Sequence, residues 1–347
     1  MIQSLISFSD EQLLAVPKLA ELQGPSYFML DDDDEFLKLD MDADDDETEE
    51  ETRRDLDNRV FFYLHTRQTG EVAQAIYTGD RDTLFGTTFD AQKPTKFVTH
   101  GWMNSHKSAA CALIRDAYLR HGDYNVIVVD WSKISFKPYV WASRRVRMIG
   151  EFVAHMINFL EAHQQDTSKI SLVGHSLGAH VAGLAIIISC HLIDAGLDPA
   201  LPGFALAGTG HRISTADADY VEIIHTNAGL LGFLIPIGHV DFYPNGGTKQ
   251  MGCAIDAGGA CSHARSFRFF AESINTKVGF HAQQCKNYVA YKMGFCSGKN
   301  TLPMGGIKKS INARGTYYLN THSKPPFNQD SLQTLKRPLS GILSIPI

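Results

Sequence analysis

Apolar and polar positions follow two rhythms along most of the chain. "YNVIVVDW" at 124–131 holds a continuous apolar run, the mark of a strand buried on both faces. "RVFFYLHTR" at 59–67, "TKFVTHG" at 95–101, "HLIDAGLD" at 191–198 and "DYVEIIHT" at 219–226 also read as strands. Between them the period lengthens. Val146, Ile149, Val153, Met156, Ile157 and Leu160 fall on one face of a helix over 139–163, and residues 107–120 read as another helix. Strands alternating with helices predict an α/β fold, a mostly parallel central sheet covered by helices on both faces. Such sheets place their sites at the carboxyl ends of the strands. Residues 227–261 are Gly-rich and irregular, as loops around a site would be.

The sharpest local signal is "SLVGHSLGAH" at 171–180. An apolar strand runs into a small-residue helix, and Ser176 sits at the junction with Gly174 and Gly178 two residues to either side. This is the G-x-S-x-G pattern of a nucleophile elbow, in which a sharp turn projects a serine hydroxyl clear of the sheet. Such a serine needs a base to take its proton and an acid to orient that base. Downstream, "AGLDPALPG" offers Asp198 at a strand end before a proline, with Asp194, Asp217 and Asp219 as competing acids. Among 15 histidines, His175 and His180 are too close to the elbow to turn back onto it. His225 and His239 are expected to line the cleft, and His263 opens a helix after Cys261. Two N–H donors for an oxyanion are expected from Leu177, which follows the serine, and from Trp102 in the turn "HGW" after an earlier strand.

Charge divides the chain. Residues 31–51 carry 14 acidic residues and one lysine, whereas the part from Thr52 onward is formally +9 within a total of −6. A block this acidic is expected to stay disordered. The predicted organisation is therefore a disordered leader or propeptide over 1–54 and one hydrolase domain over 55–347. Arg53-Arg54 is a candidate processing site between them. "MIQSLISF" lacks the basic start and length of a secretory leader. No apolar run reaches the ~18 residues of a membrane span, and no pattern points to nucleic acid. The six cysteines include two local pairs, 253/261 and 285/296, which suits an oxidising compartment; none has zinc-type C-x-x-C spacing. Cys111 and Cys190 are left open between buried thiols and a third bridge.

The ordered pieces "THGW", "VIVVDW", "LVGHSLGAHVAG", "GLDPA", "HTN", "GHVDFYPNGG", "GC" and "CSHARSFRFF" resemble the pancreatic lipase family of animal secreted lipases, over roughly residues 58–330. The resemblance implies an α/β-hydrolase fold and a triad of Ser176, Asp198 and His263, with Trp102 and Leu177 as the oxyanion hole. It also implies disulfides Cys253–Cys261, at the base of a lid, and Cys285–Cys296. No C-terminal β-sandwich is expected after "TYYLNTHSKPPF". The short lid "AIDAGGA" is similar to that of insect lipases and phospholipases A1. The implied protein is a secreted, extracellular, monomeric ester hydrolase acting on phospholipid or acylglycerol at a lipid surface. The alternatives are a triacylglycerol or galactolipid lipase, or a non-catalytic yolk-protein-like lipid binder on the same scaffold. No cofactor is required, although Arg212, Ser214 and Asp217 stand where some members hold a structural calcium.

Overall fold

The computed structural model describes residues 26–30, 36–40, 43, 45–185, 192–254, 256–296 and 300–329. After an N-terminal ribbon, β1 (Ser26–Leu30) and β2 (Phe36–Asp40), and a helix α1 (Glu49–Arg54), the strands form one sheet. They are β3 (Phe61–His65), β4 (Gln74–Ile76), β5 (Thr95–Thr99), β6 (Asn125–Asp130), β7 (Ile170–His175), β8 (Leu192–Leu197), β9 (Tyr220–Ile224), β10 (Val240–Pro244), β11 (His281–Gln284), β12 (Thr301–Pro303) and β13 (Gly315–Leu319). The sheet has 11 strands in the order β12-β11-β13-β10-β9-β8-β7-β5-β6-β3-β4. The run from β13 to β6 is parallel throughout, and both edges are antiparallel.

The principal helices are α2 (Arg81–Phe85), α3 (Ala109–His121), α4 (Ser132–Ser135), α5 (Tyr139–Ala162), α6 (Leu177–Ala185), α7 (Ala260–Asn275) and α8 (Tyr288–Met293). The period-2 geometry of a strand sends alternate side chains to opposite layers. Ile127 and Val129 of β6 pack with α5 and α6, while Val126 and Val128 pack with α3 and α7. The apolar run of β6 is thus explained by helices on both faces. The stripe expected on α5 is also buried, from Val146 to Leu160. Each such fully buried aliphatic side chain contributes roughly 1.5–3 kcal/mol. Among the described residues no helix is long and apolar enough to cross a membrane.

The expectation that residues 1–54 stay disordered is corrected within the described residues. β1 and β2 pair antiparallel, from Ser26↔Asp40 to Leu30↔Phe36. β1 runs beside the turn at 257–259 and the start of α7, and β2 runs beside α5. Thr48 caps α1 with a capping box to Glu51. Asp45 and Glu47 pair with basic side chains of the domain, and Thr52 bonds to another. Lys137 pairs with Asp45 at 2.8 Å, Arg59 with Glu47 at 2.9 Å, and Arg145 donates to Thr52 Oγ1 at 2.8 Å. Arg53-Arg54 consequently lies in a capped helix, with Arg53 bonded to Glu151, and not in an exposed linker.

Candidate active site

Strand β7 ends at His175 and α6 starts at Leu177, which leaves Ser176 alone to make the turn. Its φ is +58°, in the left-handed region that an L-residue enters only under constraint. The constraint is visible. Ser176 N–H donates to Leu197 O at 3.0 Å, and its carbonyl accepts from Ala179 N–H at 3.1 Å and Ala200 N–H at 3.3 Å. A Cβ on Gly174 would collide with the Gly178 carbonyl, and one on Gly178 with the His100 carbonyl. The two glycines are therefore demanded by the close approach of strand, helix and neighbouring loop.

Asp198 follows β8, also left-handed at φ +45° and fully buried. Its Oδ1 accepts the Thr226 and Asn227 N–H groups at 2.8 and 3.0 Å, and its Oδ2 accepts His263 Nδ1 at 2.6 Å. His263 sits in the first turn of α7, just after the Cys253–Cys261 disulfide; Cys285–Cys296 forms the second bridge. With Nδ1 donating to the carboxylate, Nε2 keeps its lone pair. That Nε2 is buried and has no hydrogen-bond partner. The His263 ring lies 4.5 Å from the ring of His175, the residue before Ser176. No hydrogen bond joins Ser176 to Nε2 here, and such bonds often tighten only when substrate arrives. Burial, and secondarily the His263 charge, push His175 well below the usual histidine range, so it stays neutral beside the base.

The loop after β5 brings Gly101 against Ser176: a Cβ there would lie 2.8 Å from the Ser176 Cβ. Trp102 is buried, and its indole N–H donates to Lys137 O at 2.8 Å. Its backbone N–H and that of Leu177 make no hydrogen bond among the described residues. His100 holds this loop, with Nε2 accepting the Trp131 N–H at 3.1 Å and Nδ1 contacting Gly101 O at 2.9 Å.

Some sequence candidates fall elsewhere. His225 and His239 do not line the site. His225 is buried between Phe233 O and Asp241, both at 2.8 Å, and His239 accepts the Val221 N–H at 3.1 Å. His180 joins α6 to Ala200 O at 2.8 Å. Sequence reasoning gave no role to Thr226 and Asn227, whose N–H groups fix Asp198, because a backbone donor has no side-chain signature. Cys111 is buried, and Cys190 lies outside the described residues. The calcium expectation fits poorly. Asp217 turns both oxygens onto Ser214, at 2.7 and 3.0 Å, and burial raises its carboxyl to about 6. That leaves far fewer than the ~6–8 oxygens calcium takes.

A mostly parallel sheet, a left-handed serine at a strand-to-helix turn, an acid after a later strand and a histidine at the start of a later helix define an α/β hydrolase. The chain belongs to the lipase family: the profile described as Lipase matches residues 30–327. It is 33% identical over 259 residues to the dog inactive pancreatic lipase-related protein 1, covering 68% of this chain and 56% of that one. It is 33% identical over 303 residues to human pancreatic lipase-related protein 3, covering 77% and 64%. It is 32% identical over 308 residues to human lipoprotein lipase, covering 79% and 65%. The chain therefore spans between 56% and 65% of the length of these relatives. Among solved structures it is similar to a Pyrococcus furiosus esterase, at TM-score 0.29 and 16% identity over 42% of this chain and 66% of that one. A likeness at that score carries no argument.

Proposed function

We propose that the protein is a secreted lipid carboxylester hydrolase of the phospholipase A1 type, working through Ser176, His263 and Asp198. One relative is named as inactive, so family membership does not decide catalysis and the side chains must. The observation that carries the reading is the state of His263: Nδ1 is committed to Asp198, and Nε2 is buried with its lone pair unspent. His263 takes the Ser176 proton as the hydroxyl attacks the ester carbonyl. Asp198 steadies the imidazolium so formed, and the Trp102 and Leu177 N–H groups receive the oxyanion. The imidazolium then protonates the departing alcohol. Water repeats the sequence on the acyl-serine.

The lid supports the phospholipid reading. Among the described residues between Cys253 and Cys261 lies a 3₁₀ turn at Ala257–Gly259, with Gly258 and Gly259 at φ +68° and +83°. A lid this short and Gly-rich presents no amphipathic helix to seal an apolar cleft in water. An open rim admits a polar head group. The decisive assay uses a phospholipid with different acyl chains at sn-1 and sn-2, alongside a long-chain triglyceride and a short soluble ester. Release of the sn-1 chain is expected. Release of the sn-2 chain alone, or a sharp rise on triglyceride above its solubility limit, overturns the phospholipase A1 reading. Hydrolysis of none of the three overturns catalysis altogether and leaves the lipid-binder alternative.

A further inference from the structure

A cleft of about 590 Å³ lies between α1, α5 and the loop at 203–211. Its place is fixed through the oxyanion wall. The Trp102 ring meets Tyr139 edge-on at 5.6 Å, and the Tyr139 hydroxyl donates to Pro202 O at 2.8 Å. One turn along α5, Ser143 faces Gly203 and the cleft begins. The loop leads there from Asp198, so the same backbone that carries the candidate acid also forms one wall.

The chemistry of the lining is cationic with an apolar tip. Arg53, Arg144, Arg147 and His211 line it, against Glu49 as the lining carboxylate. Glu151 ties Arg53 and Arg147 together, at 2.8 and 3.1 Å, which presents two guanidinium groups side by side. Their side chains remain 48% and 55% exposed. Guanidinium groups in such an array suit the oxygens of a phosphate. At the rim, Leu206 is 96% exposed. A lone exposed leucine is ordinary. One on the lip of an arginine-lined cleft matches a membrane interface, where the head group is anionic and the layer beneath is hydrocarbon.

We propose that this cleft holds the phosphate head group of an anionic phospholipid in the bilayer surface, with Leu206 entering the acyl layer. The site orients the enzyme on its substrate surface, and its lining includes none of Ser176, Asp198 and His263. The proposal rests on the lipid-surface part of the function proposed above, but not on catalysis, and binding can be measured without turnover.

The test uses full-length Ser176→Ala protein and sedimentation with vesicles of phosphatidylcholine alone or with phosphatidylserine added. Tighter binding to the anionic vesicles is expected, weakening as salt rises. Each arginine at an anionic surface is worth roughly fivefold, so Arg144→Gln with Arg147→Gln should weaken binding ~25-fold. Leu206→Asp should weaken it on both vesicle types. Melting temperatures check that the variants remain folded. Equal binding to both vesicle types overturns the proposal, as does undiminished binding by the folded double variant. Saturable binding of inorganic phosphate, lost in the double variant, by a protein that shows no preference for anionic vesicles also overturns it, because the cleft would then be a site for the free ion. A protein that binds as described but hydrolyses no ester refutes the proposed catalysis and leaves this site standing.

Discussion

Two of the buried histidine–carboxylate pairs among the described residues differ in one nitrogen. His263 and Asp198 meet at 2.6 Å, and His225 and Asp241 at 2.8 Å. Both carboxylates also accept backbone N–H groups: Thr226 and Asn227 for Asp198, Ile237 and Gly238 for Asp241. His225, however, spends its other nitrogen on Phe233 O and stacks on Tyr243 at 4.3 Å, whereas His263 Nε2 has no partner. The fully satisfied pair fastens the 227–237 loop to the sheet. The pair left one bond short can move a proton. A histidine–acid contact is therefore a poor sign of catalysis by itself, and the unspent nitrogen is the informative feature.

The contrast can be broken most severely at the nucleophile. Ser176→Ala should lower kcat by ~10⁴–10⁶ while the protein stays folded, since it removes one oxygen at a constrained turn. Residual esterase activity above a few per cent would mean another nucleophile. Asp198→Asn should cost up to ~10⁴ in kcat by favouring the wrong tautomer of His263; near-normal turnover would show Asp198 is misassigned. The equivalent change in the other pair, Asp241→Asn, should act on stability. Breaking a buried pair costs about 3–5 kcal/mol, read by denaturant unfolding, with turnover per folded molecule retained.

His180 sharpens the comparison with a ring that has no carboxylate. It donates to Ala200 O and accepts the Ile213 N–H at 3.3 Å; burial, helped by the Arg212 charge and opposed by the Ala200 bond, depresses its pKa to about 3. The unfolded chain, with an ordinary histidine near ~6.5, then binds more protons than the native state. Its stabilising contribution is complete above that value and declines as pH falls from ~6.5 toward the native value. By pH 5 the loss is about 2 kcal/mol from this one group. A smaller slope is expected in His180→Gln, and an unchanged slope would refute the assignment. The mildest change is Tyr243→Phe. It removes the hydroxyl that donates to Leu234 O at 3.1 Å, and should cost ~1 kcal/mol of stability and no chemistry.

The parts legible in the sequence were those written in local pattern. The α5 stripe, the apolar run of β6 and the glycines around Ser176 each follow from spacing within about one element. The acidic segment misled because its charge was judged alone. Lys137 and Arg145, roughly 90 residues downstream, supply partners at Asp45 and the Glu47 carbonyl. His225 misled for the same reason: nothing in "HTN" shows that Asp241 and the Phe233 carbonyl will close on its ring.

The order of the sheet also has a kinetic consequence. β5 lies between β6 and β7, and no neighbouring parallel pair can be joined by a tight turn. Contacts of such wide separation make folding slow. Residues 100–102, 176–177, 198 and 263 meet only when most of the chain is in place. A chain leaving the ribosome presents its elbow long before the helix at Ala260–Asn275 can bring a base to it. During refolding, helical signal should therefore return well before the ability to cleave an ester.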